Sequence, residues 1–537
     1  MLYNFQNRKG GESMLRLITT MTFFISLAYA QTSRILWINY QSTGCVTCHR
    51  IASVKMNDTL YIFGTFHYKD GKLNPFLIAV DSSLNIKWFK AFSHDTGNLA
   101  IDKMVKINDS LIAISGGHHG NPYCPNGKCT FFGIFNIKSQ NFVWVKYRQG
   151  SQYEFLSATA IDFDGNNLVI GAQSTSNNVG SWILKVNLDG NILWQKIIRE
   201  GSGYEVMDVV FDGSSYIYLF RNVNGESPAL TKFGLNGNLV WSKTYNFGAY
   251  DYPYKLLKDI DGYVVVGSKC ANYDCETLNN DDIFVFKTDF DGNITWSKLY
   301  SSTSNVPGWI GKDRAYDIAL DYDGNYLVSG FIRASSNSSY PIVLKINRND
   351  GNLIWARAWQ TAPQNTSSNF GKGVISIGKG KFYLLTFIGS GVHASGGFAI
   401  IREDTNPNLV DHCTEPINLT VDSFTATPVN ETLSITGANY TLSNLSLSPY
   451  NPPINQTNSC QITPVSNYEF YKSCFFEIRA NKGYIDIKLK EKNNVIVYDI
   501  IGNVVYSEFF EGERNVKVKN GIYVIKVGKE KVKMVVR

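Results

Sequence analysis

The sequence predicts an all-β chain: a seven-bladed β-propeller, then a linker, then a small C-terminal β-sandwich. Three observations carry this expectation. A tryptophan recurs in short alternating strands, Asp-Gly and Asn-Gly turns separate the strand signals, and aromatic residues reach 14% against only 18% charged, a strand-rich globular balance rather than a disordered one. At 537 residues the chain is also too long for one core, so two or three domains are expected.

The tryptophan strands are NIKWFK, NFVWVK, DGNILWQK, NGNLVWSK, DGNITWSK and DGNLIWAR, with Trp88, Trp144, Trp194, Trp241, Trp296 and Trp355 spaced 47 to 59 residues apart. The sixth copy reads in full as AYDIALDYDG, NYLVSGFIR, PIVLKINRNDG and NLIWARAW, four strand signals joined by tight turns. Such a period indicates propeller blades, each covering one face of its neighbour. After Trp355 come GVISIG, KFYLLTFIG and GFAIIRED, with no tryptophan strand behind them. RILWINY, with Trp37 lying 51 residues before Trp88, supplies the missing strand. Residues 34–40 are therefore expected to complete the last blade and close the ring over residues 31–404.

The unit DIALDYDGNYLVSGF…PIVLKINRNDGNLIWARAW resembles the propeller repeats of secreted bacterial proteins of the SBBP or delta-60 type. That resemblance implies a fold, not a reaction. Quinoprotein dehydrogenases share the tryptophan-bearing blade, but no adjacent Cys-Cys pair exists here. The recurring DFDGNN, DFDGN and DYDGN, with Asp162, Asp164, Asp289, Asp291, Asp321 and Asp323, lack the late bidentate acid of a calcium loop and suit tight hairpins.

The N-terminus reads as an export signal: Arg8, Lys9 and Arg16, the apolar run LITTMTFFISLAYA, and the small-residue pattern Ala28-Tyr29-Ala30 before Gln31. Cleavage is expected after Ala30, with Met1 or Met14 as the start. No later segment is apolar enough to span a bilayer, so the mature chain is expected to be secreted or attached to the cell surface. The net charge of +6 concentrates at the two ends, which leaves residues 31–480 near −1 and gives no nucleic-acid footprint.

Export makes the nine cysteines candidates for disulfides. Cys124 with Cys129 (CPNGKC) and Cys270 with Cys275 (CANYDC) look like local loop staples, and Cys413 with Cys460 would close a longer loop. Cys45-x-x-Cys48-His49 has the spacing of covalent haem c attachment, with His118, His119 or Met56 as a second axial ligand. A structural loop with no cofactor is the favoured reading, because a propeller strand rather than a haem-burying helix follows the motif.

Residues 405–466 are rich in Ser, Thr, Asn and Pro and are expected to be an extended linker, with sequons at Asn418, Asn430, Asn439, Asn444 and Asn455. Residues 467–537 return to strand patterns. NNVIVYDIIGNVVYSEFF alternates around a turn, and NGIYVIKVGKEKVKMVVR reads as a hairpin. Gly521, Ile522, Tyr523, Val527, Lys529 and Lys531 match the ending of type IX secretion (Por) sorting domains of type A, which this segment resembles. The resemblance implies a small sandwich that engages the type IX machinery.

In a blade the first-to-second and third-to-fourth turns share one face, and these are the short Asp-Gly turns. The opposite face collects the longer loops, with His67, His118, His119 and His393, and is the expected binding surface. The favoured function is a non-catalytic surface propeller binding a protein or carbohydrate. A monohaem electron-transfer protein and a hydrolase of an extracellular polymer are the alternatives.

Overall fold

The computed structural model describes residues 34–39, 51–67, 73–93, 98–120, 124–148, 156–174, 180–199, 204–222, 227–247, 250–270, 281–302, 313–335, 338–359, 367–390, 397–403, 414–416, 419–424, 427–430, 434–437, 443–444, 448–450, 455–459, 469–472, 476–481, 484–499, 503–519, 521–527 and 530–536. The chain divides into two compact units, Met1–Ser459 and Cys460–Arg537. All regular structure among the described residues is strand.

The first unit is a propeller-like array of antiparallel sheets. Each repeat of the sequence folds as four consecutive strands paired in order, as in Arg314–Leu320, Tyr326–Ser335, Ser338–Ile346 and Leu353–Trp359. The first strand of each group touches the first strand of the next. The circuit runs through Ile51–Met56, Asn98–Lys106, Leu156–Phe163, Tyr204–Phe211, Tyr250–Lys258, Arg314–Leu320 and Ser367–Gly378, and the last of these touches Ile51–Met56 again. The strand Arg34–Asn39 pairs antiparallel with Gly397–Glu403, Trp37 facing Ala399. The N-terminal strand thus completes the group that begins at Ser367, as the missing tryptophan strand suggested.

Two repeated contacts lock neighbouring groups. Three fourth-strand tryptophans reach over the third-to-fourth turn of the next group: Trp144 Nε1 donates to Leu188 O (2.8 Å), Trp194 Nε1 to Leu235 O (3.0 Å) and Trp296 Nε1 to Arg348 O (3.1 Å). The turn glycines beneath have positive φ, 78° at Gly237 and 70° at Gly351, and a Cβ there would lie 2.9 Å and 2.7 Å from Trp194 and Trp296. The tryptophan and the Asp-Gly turn of adjacent repeats are therefore two halves of one joint.

The second lock uses the aspartates of the first-to-second turns. Asp164 accepts from Tyr216 Oη of the next group (2.6 Å) and from Lys185 Nζ of its own (2.9 Å). Asp212 takes Tyr263 (2.8 Å) and Lys232 (3.1 Å) in the same way, and Asp259 takes Tyr326 and Lys287. Asp321 instead takes Ser376 Oγ (2.6 Å), the Gly380 amide (3.2 Å) and Lys345 Nζ (2.6 Å). The recurrent DxDG is thus both a hairpin and a bracket between sheets.

Residues 414–459 are not a linker. Their seven short strands add to the outer edge of successive sheets in reverse order. Thr414–Pro416 pairs with Leu353–Trp359, Thr420–Ser423 with Ile294–Ser301, Thr427–Asn430 with Leu239–Asn246 and Ser434–Gly437 with Ile192–Arg199. Ser443–Asn444, Ser448–Tyr450 and Asn455–Ser459 continue onto Asn141–Arg148, Ile86–Ser93 and Arg34–Asn39. Five sheets consequently have five strands, and one parallel bridge, Ser339 to Ser368, joins two further five-strand groups into a ten-stranded sheet. A Ser/Thr/Asn/Pro-rich composition suits this belt because it lies at the sheet edges, where proline is tolerated and blunts further pairing. Leu419, Val421 and Ile435 anchor it in the apolar layers between sheets, and Phe424 meets Phe247 edge to face at 4.6 Å.

The second unit is one six-stranded antiparallel sheet. Its long strand Tyr484–Asp499 pairs with Phe476–Asn481, Val504–Lys517 and Gly521–Val527 around a register shift between Leu489 and Asn493. Ile478, Ile487, Val495, Val497, Tyr523 and Ile525 form its core, and Gly521–Val527 and Glu530–Val536 form the terminal hairpin expected from the sequence.

Two outcomes follow. Asp164 is held down to about 2: burial opposes ionisation, but Tyr216, Lys185 and two backbone amides outweigh it. A carboxyl depressed on folding stabilises above about pH 4 and loses that contribution as pH falls through its folded pKa. Asp164→Asn should therefore lower stability at pH 7 by about 1–3 kcal/mol, with the gap to wild type closing between pH 4 and 2 in denaturant titrations; a constant gap refutes the lock. A chain ending at residue 413 should unfold about 3–6 kcal/mol more easily and self-associate on a sizing column, whereas one ending at Ser459 should do neither.

Candidate functional site

The inner strands carry a feature that the repeat pattern does not announce. In six of them the ladder skips one residue at the same level: Asp102, Thr159, Met207, Tyr254, Tyr316 and Lys372. The strand Ile51–Met56 pairs without such a shift. A β-bulge re-aims side chains and strengthens twist. It also brings the inner-strand carbonyl close to the second strand, so glycine stands opposite: a Cβ at Gly116, Gly267 or Gly330 would meet the carbonyl of Ala100, Tyr252 or Arg314 at 2.0, 2.2 and 1.9 Å.

Immediately after the bulges come Lys103, Asp208, Lys255 and Asp317, which meet although they belong to different sheets. Asp208 is 2% exposed and pairs with Lys103 Nζ at 3.4 Å and Lys255 Nζ at 3.1 Å, while its Oδ2 also accepts the Leu256 amide (3.1 Å). Lys103 reaches past the intervening sheet because Ala160 occupies the equivalent position there. Burial opposes ionisation of Asp208, but Lys103 and Lys255 hold its carboxyl below the usual range. Burial pushes Lys103 down; it acts on Lys255 too, but Asp208 and Asp317 override it and raise that lysine.

Asp317 accepts the Val374 amide (3.0 Å) and is pushed up by burial. Asp162, two residues beyond Ala160, accepts the Phe211 and Phe163 amides (2.6 and 2.8 Å) and is pushed up to about 6 by burial. The two lysines thus favour the charged form of Asp208, whereas burial favours the neutral form of Asp162 and Asp317.

One level away lies an aromatic wall. Tyr254 meets Tyr316 edge to face at 4.8 Å, Tyr316 stacks on Phe331 at 5.9 Å, and Phe331 meets Phe370 at 4.4 Å. Arg314 Nε donates to Asp281 Oδ2 (2.7 Å) beside it. An open cleft of about 440 Å³ lies between the first, sixth and seventh inner strands, lined by residues that include Ser53, Lys55, Leu320, Tyr322, Val374 and Ser376.

The residues expected from sequence fall elsewhere. Cys45, Cys48, His49, Cys275, His393, Cys413 and Cys460 lie outside the described residues. His67, His118 and His119, expected in loops, are in strands: His67 ends Thr59–His67 opposite Leu73, and His118 and His119 face Leu99 and Asn98. Cys124 and Cys129 share the strand Cys124–Asn136, whose ladder jumps from Lys128 to Cys124 and leaves residues 125–127 out. Cys270 is 1% exposed and is half of a disulfide. The axial charges were missed, although VMDVVFD, PYKLLKD and AYDIALD each place a charge inside an apolar strand four residues before the turn aspartate, and AIDKMVKIN places Lys103 five residues before the turn residue Asn108.

No family model matches the chain, and no curated protein does. Among solved structures it is similar to the periplasmic gluconolactonase PpgL of Pseudomonas aeruginosa, at 11% identity over 73% of this chain and 99% of that one, TM-score 0.37. It is similar also to a subtype N10 neuraminidase-like protein of influenza A/little yellow-shouldered bat/Guatemala/060/2010 (11%, 68% and 98%, TM-score 0.33) and to the Synechocystis apocarotenoid oxygenase (10%, 73% and 96%, TM-score 0.36). These likenesses are too distant to carry a function.

Removing Asp208 leaves two lysines facing each other in a confined space. Asp208→Ala should cost about 3–5 kcal/mol, and adding Lys255→Met should recover part of it. If the double variant is no more stable than the single one in urea unfolding, Asp208 does not act by neutralising Lys255.

Proposed function

We propose that this chain is an exported seven-bladed propeller that acts without catalysis, binding a protein or carbohydrate through the face where its longer connections emerge. The closed circuit of inner strands supports the blade count. The observation that carries the binding reading is the use of the opposite face: there the turn aspartates, lysines and tyrosines bond to one another between sheets, and a polar group already bonded within the fold is a poor recognition element. We further infer that the C-terminal unit is a type IX sorting domain, that residues 1–30 are removed on export, and that Cys270 pairs with Cys275.

A direct test presents the purified first unit to a glycan array and to the native cell surface. Replacing residues 271–280 by a Gly-Ser segment should abolish binding, whereas Asp291→Lys with Asp350→Lys, on the turn face, should leave it unchanged. The reverse pattern overturns the assignment of the face. For export, a chain lacking residues 460–537 should fold but fail to reach the cell surface; normal surface display of that chain removes the sorting role.

One observation favours a hydrolase as a second reading. Asp162 is pushed up to about 6 while Asp208 stays ionised, the division of labour between a general acid and a charge-stabilising carboxylate. Activity on an extracellular polymer that disappears in Asp162→Asn would establish it.

A further inference from the structure

The Asp-Tyr lock that seals the turn face lapses on both sides of the inner strand Ser367–Gly378. Phe382 stands at the ladder position where Tyr216, Tyr263 and Tyr326 supply hydroxyls, so Asp321 takes Ser376 and the Gly380 amide instead. The turn that follows is GKGK, residues 378–381, and brings no aspartate toward the first group. The strand is also thin. Gly373 occupies the place of Asp208 and Lys255 immediately after the bulge, and Ser376 the place of Phe211 and Lys258.

The open cleft of about 440 Å³ lies at this seam, and its lining leaves polar groups unspent. Neither the Ser53 hydroxyl nor the Tyr322 hydroxyl bonds to another described residue. Lys55 Nζ donates once, to Asn57 O (2.6 Å), and an ammonium has two further protons to give. Tyr322 is 71% exposed and Leu320 41%, so a ring and an apolar side chain stand in water at the rim.

The charge is one-sided. Lys55 is the single charged residue of the lining, and Lys379 and Lys381 are exposed in the adjacent turn. Among the described residues no carboxylate pairs with any of the three. Asp321 and Asp323 share Lys345, and Asp58, in the turn beyond Lys55, does not line the cleft. A cleft lined by one sign of charge concentrates ions of the other.

We propose that this cleft binds a carboxylate carried on a six-membered ring. The carboxylate lies on Lys55 and the Ser53 hydroxyl, and the ring face lies on Tyr322 beside Leu320. A charge-assisted hydrogen bond, roughly twice as strong as a neutral one, fixes one end of the ligand, and the tyrosine ring is the platform for the other. The volume falls within the range of small-molecule sites, about 300–1,000 Å³. An acidic sugar and an aromatic acid share this chemistry, the first offering a C–H face to the ring and the second a π face.

The test titrates the full chain with digalacturonate and with benzoate by calorimetry and saturation-transfer NMR, with digalactose and benzyl alcohol as uncharged counterparts. At least one carboxylate should bind saturably, and its uncharged counterpart at least about tenfold more weakly. Saturation by digalacturonate alone assigns an acidic sugar, and by benzoate alone an aromatic acid. Lys55→Gln should weaken binding about tenfold and Tyr322→Ala about fivefold, whereas Tyr322→Phe, which keeps the ring, should cost about twofold or less. Failure of both carboxylates to saturate the unmutated protein, or equal binding of the uncharged counterparts, overturns the proposal without reference to any variant's folding. Saturable binding that neither Lys55→Gln nor Tyr322→Ala weakens places the ligand elsewhere and overturns it too. Replacing residues 271–280, which tests the face of the longer connections, should leave this titration unchanged, so the two sites fail independently.

Discussion

The joint between sheets is the constraint on which the first unit depends. A sheet with two apolar faces cannot stand alone in water, and here each face is covered by the next repeat. The tryptophan of one repeat lies on the glycine turn of the next, so the bulk of the indole demands the absence of a side chain 40 to 60 residues further on. The Asp-Tyr bond does the same for polar groups: Tyr216, Tyr263 and Tyr326 bury their rings in one sheet and place their hydroxyls on the carboxylate of the previous one. Each buried carboxylate is in turn neutralised by a lysine of its own sheet. Burying such charges singly would cost more than the hydrogen bonds return, so the triad forms as a set or not at all.

Closure brings a second constraint at the axis. Neighbouring inner strands must crowd together without clashing, and the repeated bulge accommodates this by turning the strand while glycine opposite it gives the backbone room. The same distortion re-aims a side chain in six of the inner strands. Asp208 therefore meets lysines from two other sheets, Lys103 at 3.4 Å and Lys255 at 3.1 Å. Asp208 pairs with two lysines and is held below the usual carboxylate range, whereas Asp162 and Asp317 accept backbone amides and feel Lys255 without an ion pair to it, so burial prevails and raises them. Position along a bulged strand, not residue type, separates these carboxylates.

The belt of residues 414–459 closes what the repeats leave open. Each group of four strands ends in an exposed edge, and the chain returns along the ring to cover part of every one. Several belt strands begin seven residues apart, at Thr420, Thr427 and Ser434. Seven extended residues reach about 23 Å, a span suited to stepping from one outer edge to the next. The belt ends on Arg34–Asn39, so the first and last strands of the unit lie side by side.

The sequence by itself determined the strand content, the repeat, the closing role of the Trp37 strand and the terminal hairpin, because period-two alternation and turn chemistry are local properties of the chain. It also carried the glycines and aspartates of the turns, though not their partners a repeat away. What only the tertiary structure decided depends on contacts with no local signature. A low-hydrophobicity segment reads as a linker until edges exist for it to pair with, and its seven-residue spacing has no meaning without the ring that sets the step. A charged residue inside an apolar strand reads as an irregularity until closure gathers Lys103, Asp208, Lys255 and Asp317 onto one axis. Lys372 carries no mark at all in GKGVIS; the Tyr316 ring that its Nζ lies over comes from another repeat, and only the packing of two inner strands brings the two together.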